Sequence, residues 1–148
     1  MLKYSNIFEG FTMKLKSFIT VLVGITALVS SANAASQGEE LFQSKCSMCH
    51  VVKPPKDMST LVAPPVFGVM RHVKMTYSNE AEALAFMRSY VMEPSAAKAV
   101  CMPQKLKKFG LMPSQKGNVT PQELEVITKW MYDNFPPKGF KGGKHKMF

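Results

Sequence analysis

Two thiols three positions apart, with an imidazole beside the second, occur in one place in this sequence: Cys46-Ser47-Met48-Cys49-His50. On a turn of helix each thiol can add to one vinyl group of a haem, giving two thioether bonds. The adjacent His50 then lies under the iron and supplies its imidazole. C-x-x-C-H is the attachment pattern of c-type haem, so the motif points to one covalent haem held by Cys46 and Cys49. Three plainer uses compete. A zinc site could use Cys46, Cys49, His50 and Cys101, and structural zinc favours four N or S ligands; a second closely spaced pair is absent. A dithiol redox centre needs a βαβ setting, and no run here alternates as a strand. A plain structural disulfide is the third.

Cys101 is left over. An unpaired exported cysteine suggests intermolecular pairing or a reactive thiol; the plainer expectation is a small buried residue. Export itself is read from the N-terminus. Residues 18–29, FITVLVGITALV, form an uncharged apolar run, preceded by Lys14 and Lys16 and followed by Ala32-Asn33-Ala34. A spanning helix needs roughly 20 apolar residues, so this run is short for a retained anchor, the alternative reading. A basic start, a short apolar middle and a small-x-small end describe a cleavable signal over 1–34, with Met13 as an alternative start. Attachment of c-type haem occurs outside the cytoplasm in bacteria, so the expected location is the periplasm, with no stable membrane insertion after cleavage. Removing 1–34 takes away Lys3, Lys14, Lys16 and Glu9 and lowers the formal charge from +9 to +7.

The whole chain has 148 residues, enough for one domain with appendages. At 46% hydrophobic it is too apolar to be wholly disordered. Three cysteines exclude a disulfide scaffold.

The elements that must carry the motif are helical. Ser36 and Glu39 have the form of a capping box, opening a helix near 36–48 through Leu41 and Phe42 into Cys46. Lys53-Pro54-Pro55 and Ala63-Pro64-Pro65 predict mostly loop over 51–68. Asn79 and Glu82 cap a second helix that carries Leu84, Phe86, Met87, Tyr90 and Val91 and ends at Glu93 before Pro94. Residues 95–100 suggest a short helical turn. Pro103, Gly110, Pro113 and Gly117 predict mainly loop over 101–119. Thr120, Pro121 and Glu123 open the last helix. In it Leu124, Ile127, Met131 and Phe135 share a face, widened by Val126 and Trp130, and Pro136-Pro137 stops it. The predicted fold is all-α, one domain over 35–137, with a basic flexible tail over 138–148.

These features together resemble the class I c-type cytochromes. The resemblance covers essentially all of the chain after residue 34. It implies N- and C-terminal helices that cross at close quarters, with Gly38, Phe42, Leu124, Ile127 and Trp130 at the contact and loops wrapping one haem. It also implies a backbone acceptor for the second ring nitrogen of His50: in the family this is a proline carbonyl in a Gly-Pro segment. Pro64 is the matching position, with Ala63 in place of the glycine. The sixth iron ligand in the family is commonly a methionine followed by proline, before the last helix. Two pairs qualify, Met102-Pro103 and Met112-Pro113. Met112 is the favoured ligand because it sits closer to the Thr120 cap; Met102 is the alternative, and His72 or an open position remains behind both. The other methionines read as core filler, and Met48 as a poor ligand.

Lys45, Lys53, Lys56, Lys105, Lys107, Lys108 and Lys116 flank the motif or the methionine loops. A basic rim would steer docking onto an acidic redox protein such as a terminal oxidase or reductase; a merely solvated face is the plainer reading. Nucleic acid is not an expected partner. The expected function is electron transfer rather than catalysis. The rival is a haem subunit of a periplasmic oxidoreductase complex, or a haem sensor with a labile sixth ligand.

Overall fold

The computed structural model describes residues 37–140. The signal over 1–34, the Met13 start, the Ser36 cap and the tail beyond 140 lie outside the described residues. The described part is helical, with no strand among its residues. Helix α1 covers residues 37–45. A 3-10 turn at Met58–Thr60 follows, then α2 (Val66–Thr76), α3 (Glu80–Met92), α4 (Pro103–Phe109) and α5 (Pro121–Asn134).

The start of α5 is set by a complete capping box. The Thr120 N–H donates to Glu123 Oε2 at 2.8 Å, and the Glu123 N–H donates to Thr120 Oγ1 at 3.2 Å. Asn79 caps α3, its side-chain oxygen accepting from the N–H groups of Ala81 and Glu82. Once started, each helix buries one stripe: Leu124, Ile127, Thr128 and Trp130 on α5, and Ala83, Leu84 and Met87 on α3. Met131 and Phe135, expected on the α5 stripe, are half-buried at its margin.

Two helices correct the sequence reading. Residues 66–68 were expected in loop, yet α2 begins at Val66, directly after Pro65. Its Val66, Met70 and Val73 follow helical spacing and are buried. Similarly, 101–119 holds α4, with Pro103 in its first turn and Gly110 closing it at φ 73°. Proline lacks only an N–H that the first helical turn leaves unpaired anyway, and glycine accepts positive φ without a Cβ clash. Here these residues bound helices rather than interrupt them.

Helices α1 and α5 cross where Gly38 meets Trp130. A Cβ on Gly38 would run into Trp130 Cβ and lie 3.0 Å from the Val126 carbonyl oxygen. Beside this contact the rings of Phe42 and Trp130 sit 5.1 Å apart. The two helices can approach this closely only without a side chain at 38. Gly38→Ala gains up to about 1 kcal/mol of helix propensity. Against that, overpacking costs roughly 1–3 kcal/mol, and the obstructing atoms belong to a Cβ and a backbone carbonyl that cannot swing aside. The variant is therefore expected to melt below the parent, by roughly 4–8 °C per kcal/mol lost; a melting temperature that stayed put would show that the crossing has slack.

Helix α5 also holds α2 and α3. Lys129 reaches Glu80 on α3 at 3.2 Å and Asp133 at 2.6 Å, a surface network of small individual worth. From α2, Lys74 donates to the Tyr132 carbonyl at 2.6 Å while lying over the Tyr132 ring. At the start of the expected tail, Phe140 packs on Phe67 of α2 with ring centroids 5.1 Å apart.

Candidate functional site

Helix α1 does not stop abruptly at the cysteine motif. It unwinds through turns: the Cys46 and Ser47 N–H groups both donate to the Phe42 carbonyl, and the His50 N–H donates to the Cys46 carbonyl at 2.9 Å. The motif is thus anchored to a helix whose other side packs on α5 through Phe42. Cys46 is half-buried and Cys49 is exposed. Burial pushes the Cys46 thiol up to about 11, with nearby Lys45 opposing the shift. Met48 is 93% exposed and turned away from the protein, unsuited to reach an iron held by its neighbours.

His50 Nδ1 lies 2.8 Å from the Pro64 carbonyl oxygen. The carbonyl can only accept, so Nδ1 carries the proton and Nε2 keeps a free lone pair. Burial lowers the His50 pKa, with the Pro64 bond opposing it; a neutral imidazole is the form that ligates. The position of this carbonyl follows from local chemistry. Pro65 restricts Pro64 to extended backbone. One residue on, the Val66 N–H donates to the Val51 carbonyl at 3.0 Å. The chain leaving His50 and the chain entering α2 are therefore clasped, and the clasp presents the Pro64 oxygen to the ring. Ala63 in place of glycine does not disturb this arrangement.

The donor set fits a covalently held c-type haem: two thiols on adjacent turns and an imidazole with its outer nitrogen fixed by a hydrogen bond. It does not fit the four-ligand zinc alternative. Among the described residues no three His, Cys, Asp or Glu side chains gather in a metal-holding cluster, so Cys101 does not join Cys46, Cys49 and His50. All three cysteines are free, and Cys101 is half-buried, its thiol pKa raised by burial.

The methionine candidates differ in setting. Met102 is the residue before α4 and is 36% exposed. Met112 lies in the extended stretch after α4 and is half-buried. His72, on α2, has its pKa lowered by burial first and then by the cations Arg71 and Lys105.

The expected basic rim is only partly available. Lys45 is committed to the fold: its ammonium donates to the Asn118 carbonyl at 2.7 Å and pairs with Glu123 at 3.4 Å. Lys116 pairs with Glu93 at 2.6 Å. Lys105 and Lys108 lean over the Phe109 ring, and Lys53, Lys56 and Lys107 are exposed. Sequence reasoning missed the clasp at Val51, for a backbone-to-backbone bond leaves no mark in side-chain identity. It also missed Ser114 and Gln115, which bind the end of α3.

Comparison with known proteins places these features in context. Residues 35–134 match the family described as cytochrome c. An uncharacterized protein of Aquifex aeolicus (strain VF5) is 30% identical over 133 residues, covering 81% of this chain and 88% of that one. No solved structure matches the chain.

Proposed function

The chain belongs to the cytochrome c family of haem-bearing electron-transfer proteins, and we propose that it is an exported one-haem electron carrier. In this reading Cys46 and Cys49 hold the haem, His50 and Met112 are the axial ligands, and cleavage after Ala34 delivers the protein to the periplasm. The observation that carries the reading is the His50–Pro64 hydrogen bond at 2.8 Å. It fixes the tautomer and the plane of an imidazole that immediately follows a two-thiol attachment motif, and it raises the basicity of the ligating nitrogen. When bound, the haem supplies a one-electron ferrous–ferric couple. The chain's share is to fill both axial positions, so that neither state takes up substrate. With the haem bound, a Met112 thioether together with the His50 imidazole would favour the ferrous form and raise the potential, which suits the high-potential end of a respiratory chain.

Partners follow from charge. Lys53, Lys56, Lys105, Lys107 and Lys108 are the lysines left to steer an acidic redox protein, a terminal oxidase or reductase by chemistry. Such an encounter needs only a small, fast-exchanging interface. Among the described residues no helix is long and apolar enough to cross a membrane.

Two measurements on protein made in cells able to attach haem test the proposal. The intact mass should equal the chain from Ala35 plus one haem. The reduced protein should not bind carbon monoxide rapidly at neutral pH. Rapid binding would instead favour the rival reading, a sensor or enzyme subunit with a labile sixth position.

A further inference from the structure

Three consecutive residues, Ser114, Gln115 and Lys116, face three consecutive residues at the end of α3. The Gln115 N–H donates to the Val91 carbonyl at 3.1 Å. Ser114 Oγ donates to the Met92 carbonyl at 2.5 Å. Lys116 Nζ meets Glu93 Oε1 at 2.6 Å. The last carbonyls of a helix have no partner within it, so 114–116 supplies what α3 lacks. Two local bonds stiffen the segment: the Lys116 N–H donates to Ser114 Oγ at 3.3 Å, and Gln115 Nε2 donates to the Pro113 carbonyl at 2.9 Å.

The chain therefore leaves α3 at Glu93, travels through α4, and returns to the point it left. The excursion 94–113 has little holding it elsewhere. No residue of α4 is fully buried. Lys108 reaches the Met58 carbonyl only at 3.5 Å, and Val100 packs against the margin of the core. A segment with few buried apolar contacts opens locally at low cost. Among contacts within the protein, those that hold it closed are concentrated at its base.

We infer that the 91–93/114–116 junction is a latch governing how often this segment opens, and that Ser114 and Lys116 are positioning residues for Met112. The inference rests on Met112 being the sixth ligand, as proposed above. Met112 lies two residues from Ser114, a chain reach of about 7 Å, so pinning Ser114 restrains it directly. Met102 lies twelve residues away across α4 and gains no such restraint. The latch thus sets the lability of the axial thioether, independently of the helix crossing that sets global stability.

The test uses the ferric holoprotein with excess imidazole, which enters the sixth position at the rate the segment opens. Ser114→Ala combined with Glu93→Gln removes both hydrogen bonds of the Ser114 hydroxyl and the Glu93 charge that pairs with Lys116 and Lys98, all of them exposed. The combination should speed imidazole entry roughly threefold to thirtyfold. Hydrogen exchange of the Gln115 amide should accelerate by a similar factor. The global unfolding midpoint should barely move, and Ser114→Thr in an otherwise unaltered chain, which keeps the hydroxyl, should leave entry slow. Unchanged Gln115 exchange in the double variant overturns the latch. So does acceleration that merely follows a fall in global stability. Met112→Ala keeping the Fe(III)–S band overturns the ligand reading, and with it the positioning role, without touching the exchange result.

Discussion

Replacing both attachment thiols, Cys46→Ala with Cys49→Ala, is expected to give a protein that carries no covalent haem and is largely unfolded. The reason lies in where the core is. Phe42, Val66, Met70, Val73, Ala83, Leu84, Met87, Leu124, Ile127 and Trp130 are buried where helices meet. The connecting stretches have almost no interior of their own. Over 46–65 only Pro65 is fully buried, and over 93–119 only Val119. A domain of about 100 residues buries a limited fraction of its surface, against a conformational entropy on the order of 100–200 kcal/mol. Connections this long and this shallow need an apolar surface to lie against, and a covalently tethered haem supplies one. Far-UV circular dichroism and a thermal scan check the outcome. A double variant with full helix content and a cooperative melt would mean that the protein core suffices alone.

What could be read from the sequence divides along a physical line. Helices α3 and α5 announce themselves because their caps are side-chain features, Asn79 in one case and Thr120 with Glu123 in the other. The α1–α5 crossing at Gly38, Phe42 and Trp130 was implied by the family resemblance, and the structure gives its physical reason: close approach demands a missing side chain next to large apolar ones. Helices α2 and α4 were hidden because Pro65, Pro103 and Gly110 mark boundaries and breaks with the same letters. Only the backbone tells which. The attachment motif is contiguous and so fully legible. Pro64, fourteen positions from His50, was found through family resemblance. The Val51–Val66 bond and the junction of 114–116 with α3 rest largely on backbone carbonyls, which every residue possesses. Lys45 shows the opposite failure: its charge suggested a docking rim, whereas the fold uses it to join α1 to the start of α5.

Met112→Ala is expected to abolish the weak long-wavelength Fe(III)–S charge-transfer band, admit carbon monoxide to the reduced protein and lower the reduction potential. A neutral thioether is a soft ligand that favours the ferrous state. Its loss should cost on the order of 0.2 V, a fraction of the roughly 0.8 V over which axial ligands set haem potentials. Met102→Ala should keep the band. Because Met102 is 36% exposed, its removal should destabilise by less than the roughly 2–5 kcal/mol of a fully buried Met→Ala change. The contrast is warranted by placement. Met112 is half-buried, follows the Gly110 close of α4, and sits beside a Ser114 bonded to the end of α3. Met102 occupies the position before α4 and is separated from the 114–116 junction by the whole of that helix. Should Met102→Ala lose the band while Met112→Ala retains it, α4 itself becomes the ligand-bearing element, Met112 becomes packing, and the electron-carrier reading survives with its axial ligand reassigned.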